Sequence, residues 1–220
     1  MELAKSLVLL AFIAVYLVIF LPRIVTALKT SAIRFGAADP SDRQRHDAMR
    51  AKHASTLEEL SALGFESIGV VYEKPPAAAR IWQIALASRR RRSFASVGRW
   101  TGRKRNVFFL TTFTNGAVIC TRLDAGGAIA RQTDMFIDGG LTGGTVAEVL
   151  QLHESRVEQF VKQGYTTVGD YSLEGRLEAF RAYYRNPELK KKFRKEGLVH
   201  LVNLLVMVGM LVYFTVDKLS

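Results

Sequence analysis

The chain has 220 residues, a net charge of +11 and one cysteine, Cys120, so no intramolecular disulfide can form and cysteine usage does not fix the compartment. Glu2 cancels Lys5 and Asp217 cancels Lys218, which leaves the whole positive excess between Arg23 and Glu196. That segment suits an anionic partner such as lipid headgroups, nucleic acid or an acidic protein, or it reflects the positive-inside bias of a membrane protein. With an apolar helix removed from each end, roughly 165 residues remain, enough for one domain with a real core.

Residues 6–22 carry no charged side chain and are bounded by Lys5 and Arg23. They predict a helix of about 25 Å. This is a short span or a signal sequence; Arg23 crowds the small residues Val25 and Ala27 that a cleavage site would need, which favours an uncleaved anchor. After Gly36 and Pro40, Ser41 and Gln44 have capping-box spacing and predict a helix to about Leu63, ended by Gly64. Met49, His53, Leu57 and Leu60 share its face.

The period then becomes two. Ile68, Val70 and Tyr72 define one strand, stopped by Pro75 and Pro76, and Trp82, Ile84 and Leu86 define the next. Residues 94–100 form a weaker third. Asn115 and Gly116 predict a type I′ hairpin joining 107–114 to 117–123, with Phe113 opposite Val118, Thr111 opposite Cys120 and Phe109 opposite Arg122. Residues 128–136, after Gly126 and Gly127, make a sixth strand. The Gly-rich residues 138–145 read as a connector into a helix capped by Thr145 and Glu148, whose apolar face is Val146, Val149, Leu150, Val157, Phe160 and Val161. Gly164 ends it, and residues 172–185 form a further helix.

Asn186 as N-cap, Pro187 as first helical residue and Glu188 in the first turn open the last helix. A collar of Lys190, Lys191, Lys192, Arg194 and Lys195 precedes residues 198–216, which contain no Asp, Glu, Lys or Arg. Those residues would span about 28 Å as a helix. Arg23, Lys29 and Arg34 after the first apolar run, and the collar before the last, outweigh Lys5 and Lys218 on the outer flanks. Both asymmetries place residues 30–186 on the cytoplasmic side. The expected architecture is an α+β domain at 30–186, an antiparallel meander of about six strands with helices on one face. An N-terminal transmembrane helix (1–29) and a basic juxtamembrane and transmembrane helix (187–220) flank it.

The Gly-rich loop lies where a helix N-terminus could hold a phosphate, but neither G-x-x-x-x-G-K-[ST] nor G-x-G-x-x-G is present. His153, on an apolar helix face, reads as a core histidine bonded to backbone rather than an acid, base or ligand. His46 and His53 lie two turns apart, too far to chelate one metal unaided, and no HExxH or paired-cysteine motif occurs. No cofactor or metal is expected. Cys120 reads as a small core residue, and Asp124, Asp134 and Asp138 occupy strand ends without acid and base pairing.

The candidate lipid- or anion-facing residues are Arg89, Arg90, Arg91 and Arg92 in one turn, Arg103, Lys104 and Arg105 in another, and the collar. Phe94 and Trp100 between the two turns could stack on bases, though nucleic acid is the weakest of the anionic partners considered. His200, Asn203 and Gly209 are candidates for helix contact within the membrane. The function expected is a membrane-anchored, non-enzymatic accessory or scaffold subunit of a larger membrane complex. Two alternatives accompany it: a PH-like module binding anionic lipid through its inter-strand loops, and a membrane enzyme using His153 and the Gly-rich loop.

Overall fold

The structure is a computed structural model that describes residues 2–29, 32–76, 78–98, 107–123 and 131–216; Arg103, Lys104, Arg105, Trp100 and Asp124 lie outside them. The chain divides into two compact units, one of Arg34–Glu73 with Arg80–Asn186, the other of the two terminal helices with Lys74–Ala79.

The first unit is α+β. Strand β1 (Arg34–Ala37) leads through a 3-10 turn at Pro40–Asp42 into helices α2 (Arg43–Lys52) and α3 (Ala54–Ala62). The single helix expected here is two, because His53 at φ −111° breaks the run and its N–H is shared between the carbonyls of Met49 and Arg50. Strands β2 (Glu66–Lys74), β3 (Ile81–Ser88), β4 (Ser93–Gly98), β5 (Val107–Thr112), β6 (Val118–Leu123), β7 (Arg131–Thr133) and β8 (Phe136–Leu141) precede α4 (Val146–Lys162) and α5 (Leu173–Arg185). All eight strands form one sheet in the order β1-β2-β3-β4-β5-β6-β8-β7.

Most pairings are antiparallel, but β8 lies parallel to β6 and antiparallel to β7. The expected sixth strand is therefore a hairpin, and residues 138–141 of the expected Gly-rich connector belong to its second strand. Gly140 is what lets β8 approach: a Cβ there would sit 1.8 Å from the carbonyl oxygen of Arg122. The β5–β6 hairpin is also one residue out of the expected register, with Thr111 opposite Ile119, Leu110 opposite Cys120 and Phe109 opposite Thr121. Only Gly116 adopts positive φ, at 86°, while the Asn115 side chain accepts a 3.1 Å hydrogen bond from the Ala117 N–H. The loop thus has three residues, closed by the Phe113 N–H on the Ala117 carbonyl at 2.9 Å, the arrangement of a type I turn followed by a glycine bulge.

The sheet is covered on both faces, not on one. Leu86, Val97 and Phe109 pack with Val146, Val149 and Leu150 of α4 and Leu60 of α3, and Ile119 and Ile137 continue that layer to Val157 and Phe160. The alternate residues face α5: Phe108 meets Phe180 at 6.0 Å, whereas its neighbour Phe109 meets His153 of α4 at 5.8 Å. The strand order is open, with β1 at one edge and β7 at the other, whereas the PH-like alternative expects a sheet closed into a barrel and capped by its last helix. Burial on both faces explains the unbroken apolar run of β5, since a strand alternates only when one face is wet.

Helix α4 begins as its sequence indicates: the Thr145 hydroxyl accepts from the Glu148 N–H and the Glu148 carboxylate accepts from the Thr145 N–H at 2.7 Å. Thr145→Ala is expected to cost about 1 kcal/mol, measured as a fall in the thermal unfolding midpoint of the detergent-solubilised protein.

The second unit contains α1 (Glu2–Leu28) and α6 (Pro187–Val216), the latter one unbroken helix through Gly197. Their shielded residues recur at helical spacing, Ile13, Tyr16, Phe20 and Ile24 on α1, and Gly197, His200, Leu204, Met207 and Leu211 on α6. Along Leu7–Leu21 and Leu198–Tyr213 most of the other described side chains are large hydrophobics that are exposed. Of the described helices, α6 is long and apolar enough, over Pro187–Tyr213, to cross a membrane; the apolar part of α1, Leu10–Thr26, is shorter.

Candidate functional site

The basic turn after β3 is exposed at Arg89, Arg90 and Arg92, but Arg91 is engaged with its own domain. Its Nε donates to the Leu63 carbonyl at 2.5 Å and its Nη1 to Glu154 Oε1 at 2.6 Å. Arg92 holds φ 53°, completing a turn in which its N–H reaches the Arg89 carbonyl. Phe94 is not a surface stacking group; it is buried against Tyr171 and beneath Arg176. In the collar, Lys191, Arg194 and Lys195 are exposed, while Lys190 and Lys192 are half-buried.

Of the three residues expected in helix contact, His200 alone lies on the α1-facing stripe. Its ring stacks on Phe20 at 4.4 Å, its Nδ1 is 3.1 Å from Tyr16 Oη, and the Tyr16 hydroxyl donates to the His200 carbonyl at 3.2 Å. Asn203 and Gly209 are exposed, and nothing lies within 4 Å of a Cβ built at Gly209.

His153 is 0% exposed and bonded to two threonines of the sheet, not to backbone. Thr111 Oγ1 donates to the Arg92 carbonyl at 2.9 Å and so presents a lone pair to His153 Nε2, also at 2.9 Å. That makes Nε2 the protonated nitrogen, and Nδ1 accepts from the Thr121 hydroxyl at 3.0 Å; Arg156 Nη1 donates to the same oxygen at 3.0 Å. Burial, reinforced by Arg156, pushes the His153 pKa down to about 3. The ring is neutral, and both nitrogens are used in joining α4 to β5 and β6. The residues around it, Phe109 among them, are packed core.

The layer under α5 holds what the sequence reading missed. Asp138 is buried within β8, where Arg122 of β6 binds it through Nε at 3.1 Å and through Nη2. The same Nη2 donates to Tyr183 Oη at 3.1 Å. Arg176 is 0% exposed; Nη2 donates to Ser96 Oγ at 2.7 Å and the guanidinium lies 3.6 Å above the Phe180 ring. Glu73, 3% exposed, accepts from the Tyr184 hydroxyl at 2.7 Å, and burial pushes its pKa up to about 7. Burial likewise pushes the Cys120 thiol up to about 12, leaving it protonated and unreactive. Two arginines and two carboxylates, with Tyr183 on Arg122, Tyr184 on Glu73, and Arg176 Nη1 and Glu73 Oε2 buried without a hydrogen-bond partner among the described residues, could in principle line a ligand site. However, the cavity between Phe108, Leu110 and Cys120 on the sheet and Phe180, Tyr183 and Tyr184 on α5 measures about 10 Å³, room for one water molecule. One sequence signal was available: Arg122 and Asp138 sit inside apolar strands, where a charge needs a buried partner.

Among the described residues no group of three or more His, Cys, Asp or Glu side chains is placed to hold a metal ion. No family model, no curated protein and no solved structure matches this chain.

Proposed function

We propose that the chain is an integral membrane protein in which α1 and α6 both cross the bilayer, holding the α+β domain on the cytoplasmic side as a non-enzymatic scaffold within a larger membrane complex. One observation carries this reading. Among the described residues, the exposed large hydrophobics fall almost wholly on the two terminal helices, from Leu7 to Leu21 and from Leu198 to Tyr213, with Val18 80% exposed; Met135 and Val168 are the exceptions. An apolar surface of that extent is unstable in water and is the normal surface of a membrane-embedded pair. The basic residues next to each apolar run supply the orientation.

The scaffold role is supported by the state of the side chains that could do chemistry. His153 has no free nitrogen, Cys120 is an inert thiol and the buried carboxylates are held by arginine or tyrosine. Such a domain offers a surface rather than a pocket.

Two measurements test the reading. After an alkaline carbonate wash the full chain is expected in the membrane pellet, and a chain ending at residue 186 is expected to remain there through α1. Release of the full chain removes the membrane assignment; release of the shortened chain alone reduces the anchor to α6. In mild detergent the protein is expected to sediment with stoichiometric partner subunits, and a lone monomer in its micelle would contradict the scaffold role.

A further inference from the structure

Helix α6 carries two faces that its residues distinguish. Gly197, His200, Leu204, Met207 and Leu211 form the shielded stripe, on which His200 meets Tyr16 and Phe20 of α1. A second set, Val199, Asn203, Val206 and Met210, recurs at steps of four, three and four, and each of its members is exposed. At about 100° per residue the centres of the two sets lie about 120° apart around the helix. The contact with α1 therefore leaves the second set open. Leu205 and Val212 are also exposed but belong to neither set.

Alternating steps of four and three are the spacing at which one helix keeps a continuous seam against another. Val199, Val206 and Met210 would be at ease against lipid; Asn203 would not. It lies five residues beyond Leu198, about 8 Å into the uncharged run, and among the described residues no group bonds its amide. Hydrocarbon offers that amide neither donor nor acceptor, so it needs a partner on another helix. The charge distribution of the carboxamide is complementary to itself: one Asn donates an N–H and a second accepts at its carbonyl oxygen. Copies of one membrane protein share an orientation set by the basic residues beside their spans. Two α6 helices are then parallel, each residue at the depth of its counterpart, and Asn203 meets Asn203.

We propose that α6 pairs with α6 of a second copy of this chain through Val199, Asn203, Val206 and Met210, in a parallel two-fold seam with a hydrogen bond between the two Asn203 amides. A single polar residue in such a seam fixes its register, because sliding one helix by a turn sets both amides against apolar side chains. The two-fold axis uses the same patch on both copies, which is what a self-complementary residue at one depth allows. The second copy thus becomes one subunit of the complex proposed above. The pairing rests on the reading of α6 as a membrane span, and the test separates the two.

Disulfide crosslinking of the full chain in its membrane reads the seam, because Cys120 is buried. With Val199→Cys, Val206→Cys or Met210→Cys added singly, brief oxidation is expected to give a disulfide-linked dimer of the chain; Leu205→Cys and Val212→Cys are expected to give none. In lipid vesicles, energy transfer between donor- and acceptor-labelled copies is expected to show Asn203→Leu weakening the dimer about 3- to 30-fold. Asn203→Gln, which keeps the amide, is expected to recover part of the loss. Equal crosslinking on and off the seam, crosslinking to a different protein in place of a second copy, or a dimer indifferent to Asn203→Leu overturns the proposal. If the chain still resists an alkaline carbonate wash, those results leave the membrane reading standing. Release of the full chain by that wash overturns the membrane reading, and the seam with it.

Discussion

His153→Ala is expected to destabilise the α+β domain by about 3–5 kcal/mol. The substitution removes a fully buried ring from between Phe109 and α4 and deprives the Thr121 hydroxyl hydrogen of its acceptor. Thr111 still reaches the Arg92 carbonyl and Arg156 still reaches Thr121, so the cost comes from the cavity and one orphaned donor. For a chain of this size a loss of that order lowers the thermal midpoint by roughly 10 °C. His153→Gln, which can donate from its nitrogen and accept at its oxygen, is expected to recover part of it. A midpoint for His153→Ala within a degree or two of wild type would contradict the assigned network.

Glu73→Gln is expected to change the pH dependence of stability in a direction opposite to most carboxylate substitutions. The Glu73 pKa is raised from 4.5 to about 7 by burial, so between those values the folded state holds a proton that the unfolded state has released. Stability therefore falls as pH rises through that interval, by about 3 kcal/mol in total, and is constant above it. His153 acts with the reverse sign. Its pKa is lowered from 6.5 to about 3, so acid protonates the unfolded chain first, and stability rises with pH across that range. Between pH 4.5 and 6.5 the two slopes nearly cancel, which hides both in the wild type. Glu73→Gln keeps an acceptor for Tyr184 and removes the titration. The variant is expected to gain about 3 kcal/mol above pH 7, to equal wild type near pH 4, and to show uncancelled the rise to which His153 and the partly buried His53 both contribute. Subtracting the two curves removes the carboxylates common to both, including Asp39, Glu148 and Asp170, whose pKa values are lowered by hydrogen bonds. A difference curve independent of pH would contradict a buried, protonated Glu73.

What the sequence shows follows from the range of the interactions involved. The Asn186 and Pro187 start of α6, the Thr145 capping box and the apolar face of α4 are local signals, and each stands where its residues indicate. The β5–β6 register was one residue off because Asn-Gly suits two turn geometries, and the choice depends on partners distant in sequence. Phe113 pairs with Thr167, the Thr114 N–H binds the Thr166 carbonyl and the Val168 N–H binds that of Thr112. Strand β8 was hidden because Asp138, Gly139 and Gly140 resemble a loop. They form a strand only because Arg122 neutralises the aspartate and a glycine fits against its backbone. The second helical face was hidden for a related reason. Nothing in residues 172–185 identifies the side of the sheet to which α5 returns: Arg176 shares a face with Phe180 and Tyr184, but an arginine at that spacing marks a buried face only once its burial is known. In the α1 and α6 pair the 3 and 4 spacing that carries Gly197, His200, Leu204 and Met207 is legible along α6, but Asn203, chosen for its polarity three residues from His200, and Gly209, chosen for its small size, are exposed and not on that stripe.

The central claim, two membrane helices holding the domain on the cytoplasmic side, is tested most directly by thiol accessibility. Cys120 is buried and its thiol is raised to about 12, so the natural cysteine is silent and single cysteines can be added to the wild-type chain at Glu2→Cys, Ser220→Cys and Arg90→Cys. With a membrane-impermeant maleimide applied to sealed vesicles of cytoplasmic-side-in orientation, the two terminal cysteines are expected to react at once. Arg90→Cys is expected to react only after the vesicles are opened. Labelling of Arg90→Cys in intact vesicles, or protection of either terminus, would contradict the account.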